Sequence, residues 1–288
     1  MSWDIIMHVN YCEQGQTIEE ICQKAVTWGF DGVEFRRKRS GVNESVEEYL
    51  DAIEKGVKKT GLKTVIFGGP GANFTDPNSA KREAEINEMS NFFKLASNRF
   101  KLTVCNTMAG SLLNTDKSIP GFNYDKHGSY AATEDQWKWA SEGFKVLGKL
   151  AEELKFKFAF EAHMNYIHDL PQAAKKLVDM IDIPSVGVNL DYGNTVYFKD
   201  KPSLKDAIVG LKDSLYYVHL KNSVGLRDGS RLPTGLGEGE INHREYIRLL
   251  NENNYTGPVC IEAPRGGDRE LYAKQDIEYI KSVIKDLL

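Results

Sequence analysis

Phe156-Lys157-Phe158-Ala159-Phe160-Glu161 decides how the chain is read: a short, largely apolar run that stops on a carboxylate. The same form returns downstream. Val186-Gly187-Val188-Asn189-Leu190 stops on Asp191, Tyr216-Tyr217-Val218 on His219, and Val259-Cys260-Ile261 on Glu262. Short apolar runs bounded by turns read as strands buried on both faces, as in a parallel sheet covered by helices. The steps from Glu161 to Asp191 and from Asp191 to His219 are each roughly 30 residues, the length of one strand–helix unit.

Working outward, the alternation covers the whole length. Strands are expected to begin near Ile5, Gly32, Lys63, Lys101, Phe156, Val186, Leu215 and Val259. Between them lie segments with helical periodicity and start signals: Thr17-x-x-Glu20, Ser45-x-x-Glu48 and Thr133-x-x-Gln136 are capping boxes. Gly29 and Gly61 stand where two helices should end in a left-handed residue. Eight strands alternating with helices predict a closed (β/α)8 TIM barrel, one domain over residues 1–288. The first turn, from Asn10 to Gly15, has no dinucleotide fingerprint, which weighs against an open doubly wound sheet. Long connections are expected at 68–79, 109–132, 222–242 and 264–275, on the face where barrels build their sites.

Composition narrows the function. A net charge of −4 provides no overall basic excess for nucleic-acid binding. Cys12, Cys22, Cys105 and Cys260 have no C-x-x-C spacing, so a reduced, cytoplasmic protein is expected. Met1-Ser2-Trp3-Asp4 opens no signal sequence, and no stretch of 18 residues is apolar throughout, so no membrane association is expected.

Taken singly, a carboxylate at a strand end often caps the next helix, and a histidine in an apolar strand is often a hydrogen-bonded core residue. Together, Glu161, Asp191, His219 and Glu262 form a donor set suited to a divalent cation. His163 follows Glu161 by two residues and Lys221 follows His219 by two, so strand period would put each on its partner's face as an acid–base candidate. The competing reading makes His163 a supporting hydrogen bonder and Lys221 a solvated loop residue. Glu34, Arg36, Asn106 and His8, at other strand ends, are candidates for substrate hydroxyls, and Arg227 for an anionic or hydroxyl group. Gly68-Gly69-Pro70-Gly71 and Gly235-x-Gly237-x-Gly239 lack the Walker lysine and read as loops around the site. Trp137 and Trp139 read as core or subunit contact.

Phe160-Glu161-Ala162-His163, Val188-Asn189-Leu190-Asp191, Val218-His219-Leu220-Lys221 and Ile261-Glu262 resemble the strand-five to strand-eight motifs of the xylose isomerase-like TIM-barrel superfamily. Gly29-Phe30-Asp31-Gly32-Val33-Glu34 resembles its G-F-x-G-[IV]-E segment, and residues 235–242 its G-x-G-E-[IV]-[DN] loop. The resemblance implies one divalent metal on Glu161, Asp191, His219 and Glu262. Mn²⁺ is favoured, and Mg²⁺, Co²⁺ and Zn²⁺ also fit the donor types. It further implies proton abstraction beside the carbonyl of a small carbohydrate or polyol, in isomerase or epimerase fashion, with Glu161 and Glu262 as metal-bound acid–base groups.

The alternative within the superfamily is a lyase or dehydratase eliminating a β substituent from a cyclic keto-polyol or a 3-keto-glycoside, towards which the Glu161/His163 and His219/Lys221 pairs lean. An AP endonuclease is disfavoured: its trinuclear cluster needs extra histidines, whereas this chain has six in all and Asn194 at a position often histidine. Ile167 and His168 stand where ketohexose epimerases carry a substrate-binding glutamate. A non-catalytic barrel subunit, a homo-oligomer or a partner subunit each remain compatible with the chain.

Overall fold

The computed structural model describes residues 3–263 and 265–288. The expected absence of a signal sequence therefore rests in part on Met1 and Ser2, which lie outside the described residues. Ten strands lie among those described: β1 (Ile5–His8), β2 (Gly32–Arg36), β3 (Thr64–Gly68), β4 (Val104–Thr107), β5 (Lys157–Glu161), β6 (Val186–Asp191), β7 (Leu215–Leu220), β8 (Asn222–Gly225), β9 (Arg231–Thr234) and β10 (Val259–Ile261). Eight close into a barrel in the order β1-β10-β7-β6-β5-β4-β3-β2, and β8 pairs with β9 as a separate antiparallel hairpin. The helices are α1 (Ile18–Trp28), α2 (Val46–Thr60), α3 (Ser79–Ser97), α4 (Glu134–Leu154), α5 (Pro171–Ile181), α6 (Tyr192–Thr195), α7 (Leu204–Leu211), α8 (His243–Glu252) and α9 (Arg269–Leu287).

By packing, the chain divides into two compact units, Met1–Phe67 with Val218–Leu288, and Gly68–Tyr217. In the first, β1 runs parallel to both β2 and β10, and β10 parallel to β7, with Cys260 level with His219 and His8 level with Glu34. In the second, β5 lies parallel between β4 and β6, with Asn106 opposite Ala159 and Glu161 opposite Asn189.

Local sequence accounts for these elements. All three capping boxes form: Thr17, Ser45 and Thr133 accept from the backbone of Glu20, Glu48 and Gln136, whose side chains reach back. Gly29 (φ 88°) and Gly61 (φ 75°) end α1 and α2 in the left-handed region, where a Cβ is disfavoured. Along α4, Trp137, Ala140, Ser141, Phe144, Leu147, Gly148 and Ala151 are buried at helical spacing. Phe144 packs against Phe74, Phe158 and Phe160, and Phe93 against Phe156 and Phe158. Each fully buried phenylalanine contributes about 2–3 kcal/mol of transfer free energy, so β5 is fixed by its core before its terminal carboxylate is considered. Trp137 is buried beneath the Lys176 ammonium, and Arg82 lies over Trp139, so both indoles pack within the chain.

Some boundaries differ from expectation. The β4 strand starts at Val104 rather than Lys101. The last connection is shorter than 264–275, because Asp268 caps α9 through the Leu271 amide at 3.0 Å; its expected first residue, Pro264, lies outside those described. Residues 222–242 are not an open connection but contain the β8–β9 hairpin. Cys12, Cys22, Cys105 and Cys260 are all buried and none is in a disulfide, and burial pushes the thiols of Cys12 and Cys22 up to about 12. Among the described residues, no helix is long and apolar enough to cross a membrane.

Candidate metal centre and active site

The four sequence-selected donors all sit at the C-terminal ends of strands. Glu161 and Asp191 are the last residues of β5 and β6, His219 is the penultimate residue of β7, and Glu262 follows β10 directly.

In the unit Gly68–Tyr217, Glu161 is 4% exposed and Asp191 fully buried. The Asn194 amide donates to Glu161 Oε1 at 3.0 Å, and Asn106 donates to Oε2 at 3.3 Å. Asn194 also bonds the Ala162 carbonyl, and its own backbone N–H caps onto Asp191 Oδ1 at 3.2 Å. One asparagine, three residues past the end of β6 and within α6, thus ties Asp191 to Glu161. The sequence reading used Asn194 only as a missing histidine. Its signal was Asp191-Tyr192-Gly193-Asn194, an aspartate followed three residues later by a side chain able to bridge.

β5 ends at Glu161 and β7 at Leu220, so His163 and Lys221 lie beyond their strands and the period of two does not place them. His163 is half-buried, with Nδ1 at 2.9 Å from the Met164 carbonyl and its ring perpendicular to Tyr166. A carbonyl only accepts, so Nδ1 carries the proton and Nε2 is the basic nitrogen of the neutral ring. Tyr166 stacks on His168, and burial followed by the Glu161 charge raises its phenol above the ordinary range. Tyr166 was not singled out from sequence.

The other unit brings together most of the remaining candidates. Around Glu262 stand His219 (Nδ1 to Oε2, 2.8 Å), Asn10 (Nδ2 to Oε1, 3.3 Å), Lys221 (Nζ to Oε2, 3.6 Å) and His8 (Nε2 to Oε1, 3.7 Å). Burial alone would raise the Glu262 carboxyl, but Lys221, His8 and His219 hold it well below the usual range. Glu34, 1% exposed, meets His219 Nε2 at 2.7 Å. Arg36 pairs with Glu13 through both its Nε and its Nη2, the latter at 2.9 Å. Arg227 is exposed between β8 and β9 and does not join the Glu262 cluster.

Buried polar groups pin the two longest connections. Residues 108–133 are held by His168 Nε2, which accepts from the Ala109 amide at 3.1 Å, and by Asp169 Oδ2, which accepts from the Ser129 amide at 3.0 Å. Burial lowers His168 to about 3 and raises Asp169 to about 6. Residues 221–242 are held by Asn222, which donates to Leu236 and Ile241 and accepts from the Ile241 amide, and by His243, bonded to Leu236 and lowered to about 4 by burial. A Cβ at Gly239 would stand 2.0 Å from Asn222 Oδ1, so only glycine lets this turn close on the asparagine. Asp276 completes the brace, accepting from Tyr11, Leu236 and Arg265 while the Ala263 amide donates to Tyr11.

The description "xylose isomerase-like TIM barrel" matches residues 22–283 of this chain. The chain belongs to this family. Among its sequence relatives is an inosose dehydratase from Clostridium perfringens, 30% identical over 176 residues, which are 54% of this chain and 57% of that enzyme. The chain thus spans a little over half the length of that relative. Solved folds extend over the whole chain. A xylose isomerase-like TIM barrel protein from Mycobacterium smegmatis in complex with magnesium superposes with a TM-score of 0.76 at 18% identity, covering 100% of this chain and 98% of that one. A 3-keto-D-glucoside 4-epimerase from E. coli superposes at 0.74 with 16% identity, covering 98% and 100%. The family member described here therefore has a fold shared with sugar epimerases and a sequence related to inosose dehydratases.

Proposed function

We propose that this chain is a divalent-metal-dependent enzyme that abstracts a proton beside the carbonyl of a keto-sugar or keto-polyol and returns it, in isomerase or epimerase fashion. The observation that carries the reading is the donor set. Glu161, Asp191, His219 and Glu262 each offer one ligand atom, each from the end of a different strand of one parallel barrel. Three carboxylates and an imidazole suit Mn²⁺ first, then Mg²⁺, Co²⁺ or Zn²⁺. Such an ion supplies Lewis acidity to a substrate carbonyl and an adjacent hydroxyl.

The chain's own groups account for the remainder. Glu262, held ionised by Lys221, His8 and His219, is a base on one side, and Glu161, held by two amides, is the counterpart for return of the proton. Lys221 bears positive charge beside Glu262, where an oxyanion of the substrate would be compensated. The pinned connections 108–133 and 221–242 are assigned to water exclusion.

A second reading, β-elimination from a cyclic keto-polyol or 3-keto-glycoside, is favoured by the 30% identity to an inosose dehydratase. His163, with Nδ1 committed to Met164 and Nε2 basic, would then take the proton, and Lys221 would protonate the leaving oxygen. Metal analysis combined with incubation in deuterated water against ketoses, inososes and keto-glycosides tests both readings. Deuterium at a carbon beside the carbonyl supports the shared first step. An isomer of unchanged skeleton then marks epimerisation, and an unsaturated ketone marks elimination. No exchange with any member of the panel in metal-loaded protein would count against both.

A further inference from the structure

We propose that Glu34 is a positioning residue for His219: its carboxylate takes the proton on Nε2 and thereby makes Nδ1 the metal donor. This rests on the metal reading above and deepens it.

The ring of His219 is held between two carboxylates. Glu34 Oε2 lies 2.7 Å from Nε2, and Glu262 Oε2 lies 2.8 Å from Nδ1. A neutral imidazole donates once and a protonated one twice. A ring that holds a metal ion keeps a single proton, so one edge takes the cation and the other keeps the proton. The two edges differ in access. The Glu34 and His219 side chains are each 1% exposed, whereas that of Glu262 is 16% exposed. The Glu34 edge is closed among β1, β2 and β7, with His8 in register beside Glu34, so it keeps its proton. The Glu262 edge opens at the strand end and receives the ion.

Committing Nε2–H to a buried carboxylate fixes the ring orientation and raises the basicity of Nδ1, a recurrent way for proteins to tune a metal-bound histidine. It also reassigns Glu34. The sequence reading offered it to a substrate hydroxyl, whereas here its carboxylate serves the imidazole.

The test uses the full-length, ¹⁵N-labelled chain and follows the His219 ring nitrogens without metal and with stoichiometric Zn²⁺, a diamagnetic probe. In the wild type Nε2 should be protonated in both states, with Nδ1 alone moving strongly on loading. Glu34→Gln keeps an oxygen acceptor and should keep the Nε2 proton, binding Zn²⁺ within a few-fold of wild type. Glu34→Leu should lose the fixed tautomer and bind Zn²⁺ about 10–100-fold more weakly.

A wild-type ring protonated only at Nδ1, or a Glu34→Leu variant that binds Zn²⁺ as tightly as wild type, would overturn the assignment. If Glu34→Leu does not fold, the wild-type and Glu34→Gln spectra still decide. If no variant binds metal, the metal reading fails, and the metal-free spectrum still reports whether Glu34 holds the Nε2 proton.

Discussion

The strand ends that carry Glu161 and those that carry Glu262 restrain their carboxylates by different means. At β5 and β6, Glu161 is held by the amides of Asn106 and Asn194. At β7 and β10, Glu262 is surrounded by Lys221, His8 and His219. An amide orients a carboxylate without cancelling its charge, whereas an ammonium cancels it. The printed contacts of the two carboxylates thus differ in kind: side-chain amides at Glu161, cationic and imidazole groups at Glu262.

The largest expected effect follows from removing the Glu161 charge. Glu161→Gln should lower turnover by about 10³-fold or more, the scale of several kcal/mol of lost metal assistance, and should lose the ion by elemental analysis. An active, metal-replete Glu161→Gln chain would break the comparison.

His163→Ala separates the two readings: under epimerisation through Glu161 and Glu262 it should keep the ion and most of its turnover, whereas under elimination, with His163 as the base, it should keep the ion and lose about 10²–10⁴-fold in turnover.

The connections invert the pattern, and pH separates them. Residues 108–133 hang on a buried carboxylate, Asp169, raised from 3.8 to about 6, and residues 221–242 on the neutral Asn222. The unfolded chain releases the Asp169 proton near pH 4 and the folded chain near pH 6. Its contribution to stability is thus fully present below pH 4, falls as pH rises towards 6, and stays low above it. Two pKa units correspond to about 3 kcal/mol. Asp169→Asn should therefore gain stability relative to wild type between pH 4 and 6 in denaturant titrations, while Asn222→Asp should show no such gain. A flat difference curve for Asp169→Asn would contradict the buried ionised carboxylate.

Smaller still, Asn194→Ala should weaken the ion about 10–100-fold, with turnover recovering at saturating metal. Lys221→Met should leave metal affinity unchanged or raise it a few-fold, because an ammonium beside Glu262 competes with the cation, and should lower turnover. Calorimetric titration of the two variants side by side sharpens the comparison. A larger loss of affinity for Lys221→Met than for Asn194→Ala would reverse it.

Much of this was legible in the sequence because it rests on local rules. Apolar runs ending in Glu161, Asp191, His219 and Glu262 marked strands and their exits, and three capping boxes marked helix starts. What escaped was set by packing across the chain. Asn194 matters through Glu161, 33 positions away, and Glu34 through His219, 185 positions away. The period of two failed for His163 and Lys221 because β5 and β7 stop before reaching them. The β8–β9 hairpin did carry a signal, Asp228-Gly229 between short strand-like pieces, which the length of the connection obscured.

The central claim is that one ion is held jointly by Glu161, Asp191, His219 and Glu262. Calorimetric titration of the metal-free chain with Mn²⁺, compared with the same titration of Asp191→Ala, tests it most directly. The account predicts one ion per wild-type chain and loss of that binding in Asp191→Ala with the fold intact by circular dichroism. Equal stoichiometry and affinity in both proteins would contradict it.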